Sequence, residues 1–197
     1  MWVYSKNATQ NQPWTEGNKH LQLLVPIVQA LRKESALASS QEESKQISLF
    51  DNADFCCWNL DRLVRKKKQP HNSRKGTPFS SMDIGFGIVN SQKKSSSNLD
   101  SRFLLVELKL NAKTYKNITL KSIQKKIDGT RRYLFEINNF HSEYYMVCDT
   151  RLVQEFISEF SREMEGESSE SDYNFTVIPI DLQTLYNQYF NSTSQNH

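Results

Sequence analysis

At 197 residues, with 37% hydrophobic and 24% charged side chains, the chain is long enough for one α/β domain with a real core and short for two. It contains no apolar run near the roughly 20 residues that span a bilayer, and Met1 to Asn7 lack the charged start, apolar stretch and small-residue site of a secretory signal. A cytoplasmic protein with no membrane partner is therefore expected. The formal charge is only +3; Cys56 and Cys57 are adjacent with Cys148 distant, and the four histidines are scattered, which makes neither a disulfide framework nor a zinc site.

In chain order, Leu21, Leu24, Val25, Val28 and Leu31 recur at helical spacing between residues 17 and 34, with Pro26 calling for a kink or a helix start. Residues 35 to 48 read as a helix end and a polar loop, and Phe55 to Val64 as a strand. The first strongly basic stretch follows: Arg62, Arg65, Lys66, Lys67, Lys68, Arg74 and Lys75, with no acid among them. Phe79 to Val89 alternates, with Met82, Ile84, Phe86 and Ile88 facing one way and Asp83, Gly85, Gly87 and Val89 the other. Gly85 and Gly87 mark a bulge, tight packing or the close approach of a phosphate.

A serine-rich connection, 91 to 100, leads to the most strand-like stretch, Arg102 to Leu110. Apolar residues on both its faces predict a central, covered strand. Leu120, Ile123, Ile127, Leu134 and Ile137 then mark a long amphipathic helix, on which Gly129 costs about 1 kcal/mol relative to alanine. A second basic set runs through this region: Lys109, Lys113, Lys116, Lys121, Lys125, Lys126, Arg131 and Arg132, opposed only by Asp128. Tyr144 to Cys148 is a strand, and Asp149 or Thr150 caps a helix that buries Leu152, Val153, Phe156, Ile157 and Phe160. After an acidic loop come an edge strand, Phe175 to Ile180 with Pro179, and a short helix from Leu182. A hairpin feeding strand–helix–strand crossovers gives a mixed central sheet flanked by helices. The basic stretches against an acidic far end suggest one face turned toward a polyanion.

Glu107 and Lys109 lie two apart on the central strand, so both emerge on one face. Two charges on so apolar a strand require an explanation. Asp83, on the preceding strand of the hairpin, can lie beside them, and two carboxylates on adjacent strands suit a hard divalent cation. The pattern Ser81-Met82-Asp83-Ile84-Gly85 followed by Val106-Glu107-Leu108-Lys109 resembles the PD-(D/E)xK nuclease superfamily, with its restriction-endonuclease-like fold. Met82 stands where the family's name has proline.

That resemblance implies a single nuclease-like domain over 1–197, its core at about 17–148 and a helix–strand–helix extension over 149–197. It implies Asp83, Glu107 and Lys109 as catalytic residues, and Asp83, Glu107 and the carbonyl of Leu108 as ligands of Mg2+ or Mn2+. Glu16 and Glu34 are its candidates for an accessory first-helix acid. Gln124 falls where RecB-like members carry a glutamine, although Asp128 replaces their following tyrosine. The expected activity is phosphodiester hydrolysis in DNA, with Arg65, Lys66, Lys67, Lys68, Arg74, Lys75, Lys113, Lys116, Lys121, Gln124 and Lys125 toward the nucleic acid. A restriction-type enzyme cutting both strands would act as a homodimer. The alternative expectation is a catalytically inactive nuclease-like domain that binds nucleic acid or a protein partner.

Overall fold

A computed structural model describes residues 1–13, 21–35, 41–68, 80–92, 100–116, 118–134, 137–166 and 176–191. The elements in order are β1 (Trp2–Tyr4), α1 (Lys6–Gln10), a 3-10 turn (Leu21–Leu23), β2 (Leu24–Pro26), α2 (Ile27–Ser35), α3 (Gln41–Ser48), β3 (Cys56–Asn59), α4 (Leu60–Lys68), β4 (Ile84–Asn90), β5 (Ser101–Lys109), α5 (Leu120–Tyr133), β6 (Glu143–Cys148), α6 (Thr150–Gly166), β7 (Thr176–Ile180) and α7 (Leu182–Tyr189). The strands form one mixed seven-stranded sheet in the order β2-β3-β4-β5-β6-β7, with β1 added against the far end of β4. β2 to β5 pair antiparallel; β6 and β7 continue the sheet parallel to β5 after the helices α5 and α6. This is the α/β architecture that alternating strands and helices predict. Among the described residues, no helix is long and apolar enough to cross a membrane.

Both faces of the sheet are covered, and the period-2 alternation of β5 shows why. Phe103 and Leu105 pack under α4, α5 and α6 with Leu63, Ile123, Ile127 and Phe156. Leu104, Val106 and Leu108 point the other way, against Ile27, Leu31, Leu185 and Tyr189 of α2 and α7. Burial of this size is the main favourable term in folding, at about 25 cal/mol per Å2 of apolar surface.

Several expectations need correction. The helical spacing near the start holds only from Ile27; Leu24–Pro26 is a strand, paired with Cys56–Trp58. Residues 41–48 are helical rather than loop, docking through Ile47. The stretch from Phe55 splits, because only Cys56–Asn59 is extended and a helix begins at Leu60. The amphipathic helix α5 stops at Tyr133, so Ile137 is buried outside it. Ile157 is exposed, not core, and α6 runs on to Gly166.

Other expectations match the structure. Asp149 accepts from the N–H of Arg151 at 2.9 Å, at the start of α6. β7, with Pro179, pairs on one side only, with β6. Gly87 is required by packing: a Cβ there would lie 2.3 Å from the carbonyl carbon of Ala8 in α1. The same contact explains the N-terminal arm. Thr9 accepts from the N–H of Gly87 at 2.9 Å, and its carbonyl accepts from the Trp58 indole at 2.6 Å.

Candidate active site

The hairpin register brings the acids together. Ile84 pairs with Val106 across β4 and β5, so one step outward Asp83 opposes Glu107. Three hydrogen bonds to two helices, α4 and α5, hold Asp83 there. Its carbonyl accepts from the N–H of Leu60, at the start of α4, at 3.0 Å. The Ser81 hydroxyl donates to Asp61 of α4, and the N–H of Met82 donates to the Thr130 hydroxyl of α5 at 2.8 Å. The last contact needs Gly129, since a Cβ there would sit 2.1 Å from the Ser80 carbonyl oxygen. The conformational cost of a mid-helix glycine is thus exchanged for close approach of α5 to the segment carrying Asp83.

The side chains form a compact ionic group. Asp83 Oδ2 accepts from the N–H of Leu108 at 2.7 Å. Both Lys109 Nζ and Lys126 Nζ donate to Glu107 Oε1, and Lys126 Nζ also lies 4.0 Å from Asp83 Oδ1. Glu107 is fully buried, and its second oxygen, Oε2, has no hydrogen-bond partner among the described residues. A buried carboxylate oxygen without a partner is costly and calls for an explanation. Burial and the neighbouring charge of Glu107 push Asp83 from the usual 3.8 up to about 7, against the pull of Lys126 and Lys109. Burial works against the charge on Lys126, but Glu107 and Asp83 outweigh it and leave its pKa raised.

The group sits at the end of β5, which the last turn of α2 and the first half of α5 approach from opposite faces of the sheet. A cavity of about 430 Å3 opens there, lined by Glu34, Leu108, Lys109, Asn111, Ser122 and Lys126 among others. Glu34 also lines a smaller recess beside Asp83 and Asp61. Its pKa is raised by burial and by Asp83. Of the two first-helix candidates, Glu34 is therefore the one whose surroundings are visible; Glu16 lies outside the described residues.

The remaining expected residues divide clearly. Lys113, Lys116, Lys121 and Lys125 are exposed on the approach to α5 and on the helix itself, whereas Gln124 is buried at 6% exposure. Gln124 lies four residues after buried Leu120 and three before buried Ile127, which turns it inward, so it is withdrawn from the surface its expected role requires. Arg65, Lys66, Lys67 and Lys68 belong to α4, where the backbone alone is described; Arg74 and Lys75 lie outside the described residues. Lys126 is the site residue that sequence reasoning missed. Its signal was its place on α5, three residues after buried Ile123 and four before buried Thr130, at the margin of the core face.

Does this donor set fit a divalent cation? Among the described residues no three His, Cys, Asp or Glu side chains cluster as metal ligands. The set is two hard carboxylates, Asp83 and Glu107, plus the Leu108 carbonyl, which on an extended strand points to the same side as its N–H. Such a set suits magnesium, which keeps several waters and takes one or two carboxylates. The unpartnered Oε2 of Glu107 is the observation that favours the fit. Compared with protein-family models, with curated proteins and with solved structures, the chain matches none of them.

Proposed function

We propose that the protein is a nuclease, dependent on Mg2+ or Mn2+, that hydrolyses phosphodiester bonds in DNA at a centre formed by Asp83, Glu107 and Lys109. The observation that carries this reading is a fully buried carboxylate, Glu107, with one oxygen unpartnered, opposite a second carboxylate and beside two lysines at the mouth of a cavity. Structural ion pairs rarely leave such an oxygen bare.

Asp83 and Glu107 would hold the cation, with the Leu108 carbonyl completing the protein's share. When bound, the cation polarises the phosphodiester and makes water a better nucleophile at neutral pH. The chain's own groups do the rest. The Leu108 N–H fixes the orientation of Asp83. The Lys109 ammonium, on the same face as Glu107 and one-quarter exposed, orients the attacking water and offsets charge that develops on the phosphate. Exposed Lys113, Lys116, Lys121 and Lys125 bind phosphates on either side of the scissile bond without reading bases. Double-strand cleavage by such a centre calls for a second copy of the chain.

One observation favours the other reading, a nuclease-like domain that binds without cutting: Lys126 already bridges the two carboxylates. Incubation of the purified chain with supercoiled plasmid separates the two. Magnesium-dependent nicking or linearisation, stopped by EDTA, is the expected result. Retention of plasmid in a gel with no cleavage under either cation would reject the enzyme.

A further inference from the structure

Lys126 occupies the position between the acids. It touches Glu107 and lies within 4.0 Å of Asp83, whereas Lys109 touches Glu107 alone. Two carboxylates and two ammonium groups balance in formal charge. A divalent cation entering that balance would lie within a few ångström of two ammonium groups, in a partly buried site where like charges repel more strongly than in water. One ammonium has to withdraw, and the bridging one is in the way. Lys126 has somewhere to go. Its side chain is one-quarter exposed and lines the 430 Å3 cavity shared with Lys109, Ser122 and Asn111.

We propose that Lys126 is an exchangeable internal cation: it holds Asp83 and Glu107 together in the metal-free protein, yields its place to the divalent cation, and moves into the adjoining cavity, where its ammonium binds the substrate phosphate. This rests on the two-carboxylate cation site proposed above. It explains both odd features of the site at once. The arrangement keeps a buried acid pair from unfolding the metal-free protein, and the bare Oε2 of Glu107 offers the incoming ion a second oxygen of the same carboxylate beside the one Lys126 gives up.

The inference gives Lys126 two effects of opposite sign. Lys126→Met should bind Mn2+ about tenfold more tightly, measured by calorimetry or by the loss of the free-ion paramagnetic resonance signal. The same variant should cleave plasmid about a hundredfold more slowly at saturating cation. A merely structural lysine would move both in the same direction. Lys126→Arg, which keeps the charge, should retain the wild-type Mn2+ affinity. A second measurement uses the unaltered protein, so it does not depend on any variant folding: lysine acetylation followed by mass spectrometry should label Lys126 several-fold faster when Mn2+ is added.

Unchanged or weaker Mn2+ affinity in folded Lys126→Met overturns the inference, as does labelling of Lys126 that ignores the cation. If the affinity and labelling results hold but no form cuts DNA, the nuclease reading falls and the exchange of cations stands. If the wild type cuts and Lys126→Met binds Mn2+ no better, the reverse is true. Absence of Mn2+ binding in every form overturns both.

Discussion

Two groups of polar side chains lie on neighbouring strands, at opposite ends of the sheet, and they solve the same problem in different ways. At one end of the sheet Tyr145 donates to Glu143 at 2.8 Å, Tyr189 donates to Tyr145 at 3.0 Å, and Gln188 reaches Tyr145 at 2.9 Å. The hydroxyls are neutral, burial raises the pKa of both tyrosines, and each oxygen has a partner. At the other end Asp83, Glu107, Lys109 and Lys126 bring four formal charges together, with both ammonium groups on one oxygen of Glu107 and none on the other. The group that locks helix α7 to the sheet pairs its two buried hydroxyls with each other, with Gln188 and with Glu143. The charged group offsets its two acids with two ammonium groups and, among the described residues, leaves one buried carboxylate oxygen bare. Charges cost more to bury than hydroxyls do, and the nuclease reading proposed above gives that cost a use.

The sharpest way to break this comparison is to change one atom in the charged group. Glu107→Gln keeps shape and volume but removes a cation-binding charge. It should lower cleavage by roughly a hundredfold or more and abolish Mn2+ binding in calorimetry. Lys109→Ala should lower cleavage comparably while retaining most Mn2+ binding, because both carboxylates remain. Removing one partner of a buried ion pair can cost about 3–5 kcal/mol, so a melting curve must show each variant folded. Full cleavage by folded Glu107→Gln would make the two polar groups equivalent and end the nuclease reading.

A smaller effect is expected from pH. Asp83 holds its proton up to about pH 7 in the folded protein but releases it near 3.8 when unfolded. The folded state is therefore favoured below 3.8, loses that advantage progressively as pH rises to about 7, and changes no further above it. In EDTA, the melting temperature of wild type relative to Asp83→Asn should fall across that window and then level off. A difference independent of pH would mean that Asp83 is not held in the environment described.

The smallest effect belongs to the neutral group. Tyr189→Phe removes two hydrogen bonds, the one it donates to Tyr145 and the one it accepts from the exposed Gln188, and should cost about 1–2 kcal/mol in denaturant unfolding, with Mn2+ binding and plasmid cleavage unchanged. A loss of cleavage in that variant would show that the two ends of the sheet are coupled. Salt sharpens the picture at the surface: affinity for duplex DNA should fall steeply as ionic strength rises, because bound lysines release counterions. Affinity that ignores salt in a filter-binding assay would remove Lys113, Lys116, Lys121 and Lys125 from the interface.

How much of this could be read in advance follows the range of each physical signal. Period-2 alternation is local, so it placed Glu107 and Lys109 on one face of a central strand. Hairpin pairing is nearly local, so Asp83 could be set beside them. Helical periodicity misled at Leu24 and Val25, because a strand against β3 competes with the helix and tertiary pairing decided for the strand up to Pro26, where the expected helix start falls. It was silent at 41–48, where one buried residue, Ile47, docks an otherwise polar helix.

By itself, then, the sequence determined the α/β alternation, the covered central strand and the pair of charges on its end, since each depends on side chains a few residues apart. Only the tertiary structure decided that Lys126 stands between the acids, that Gln124 is turned inward and that one oxygen of Glu107 is left bare. Those facts depend on the rotation and closeness of α5 against residues 80 to 83, which the contact of Gly129 with Ser80 and the bond from Met82 to Thr130 establish across about fifty positions of chain. No pattern within one element carries the angle at which it meets another. Packing sets that angle, and with it the chemistry available at the end of β5.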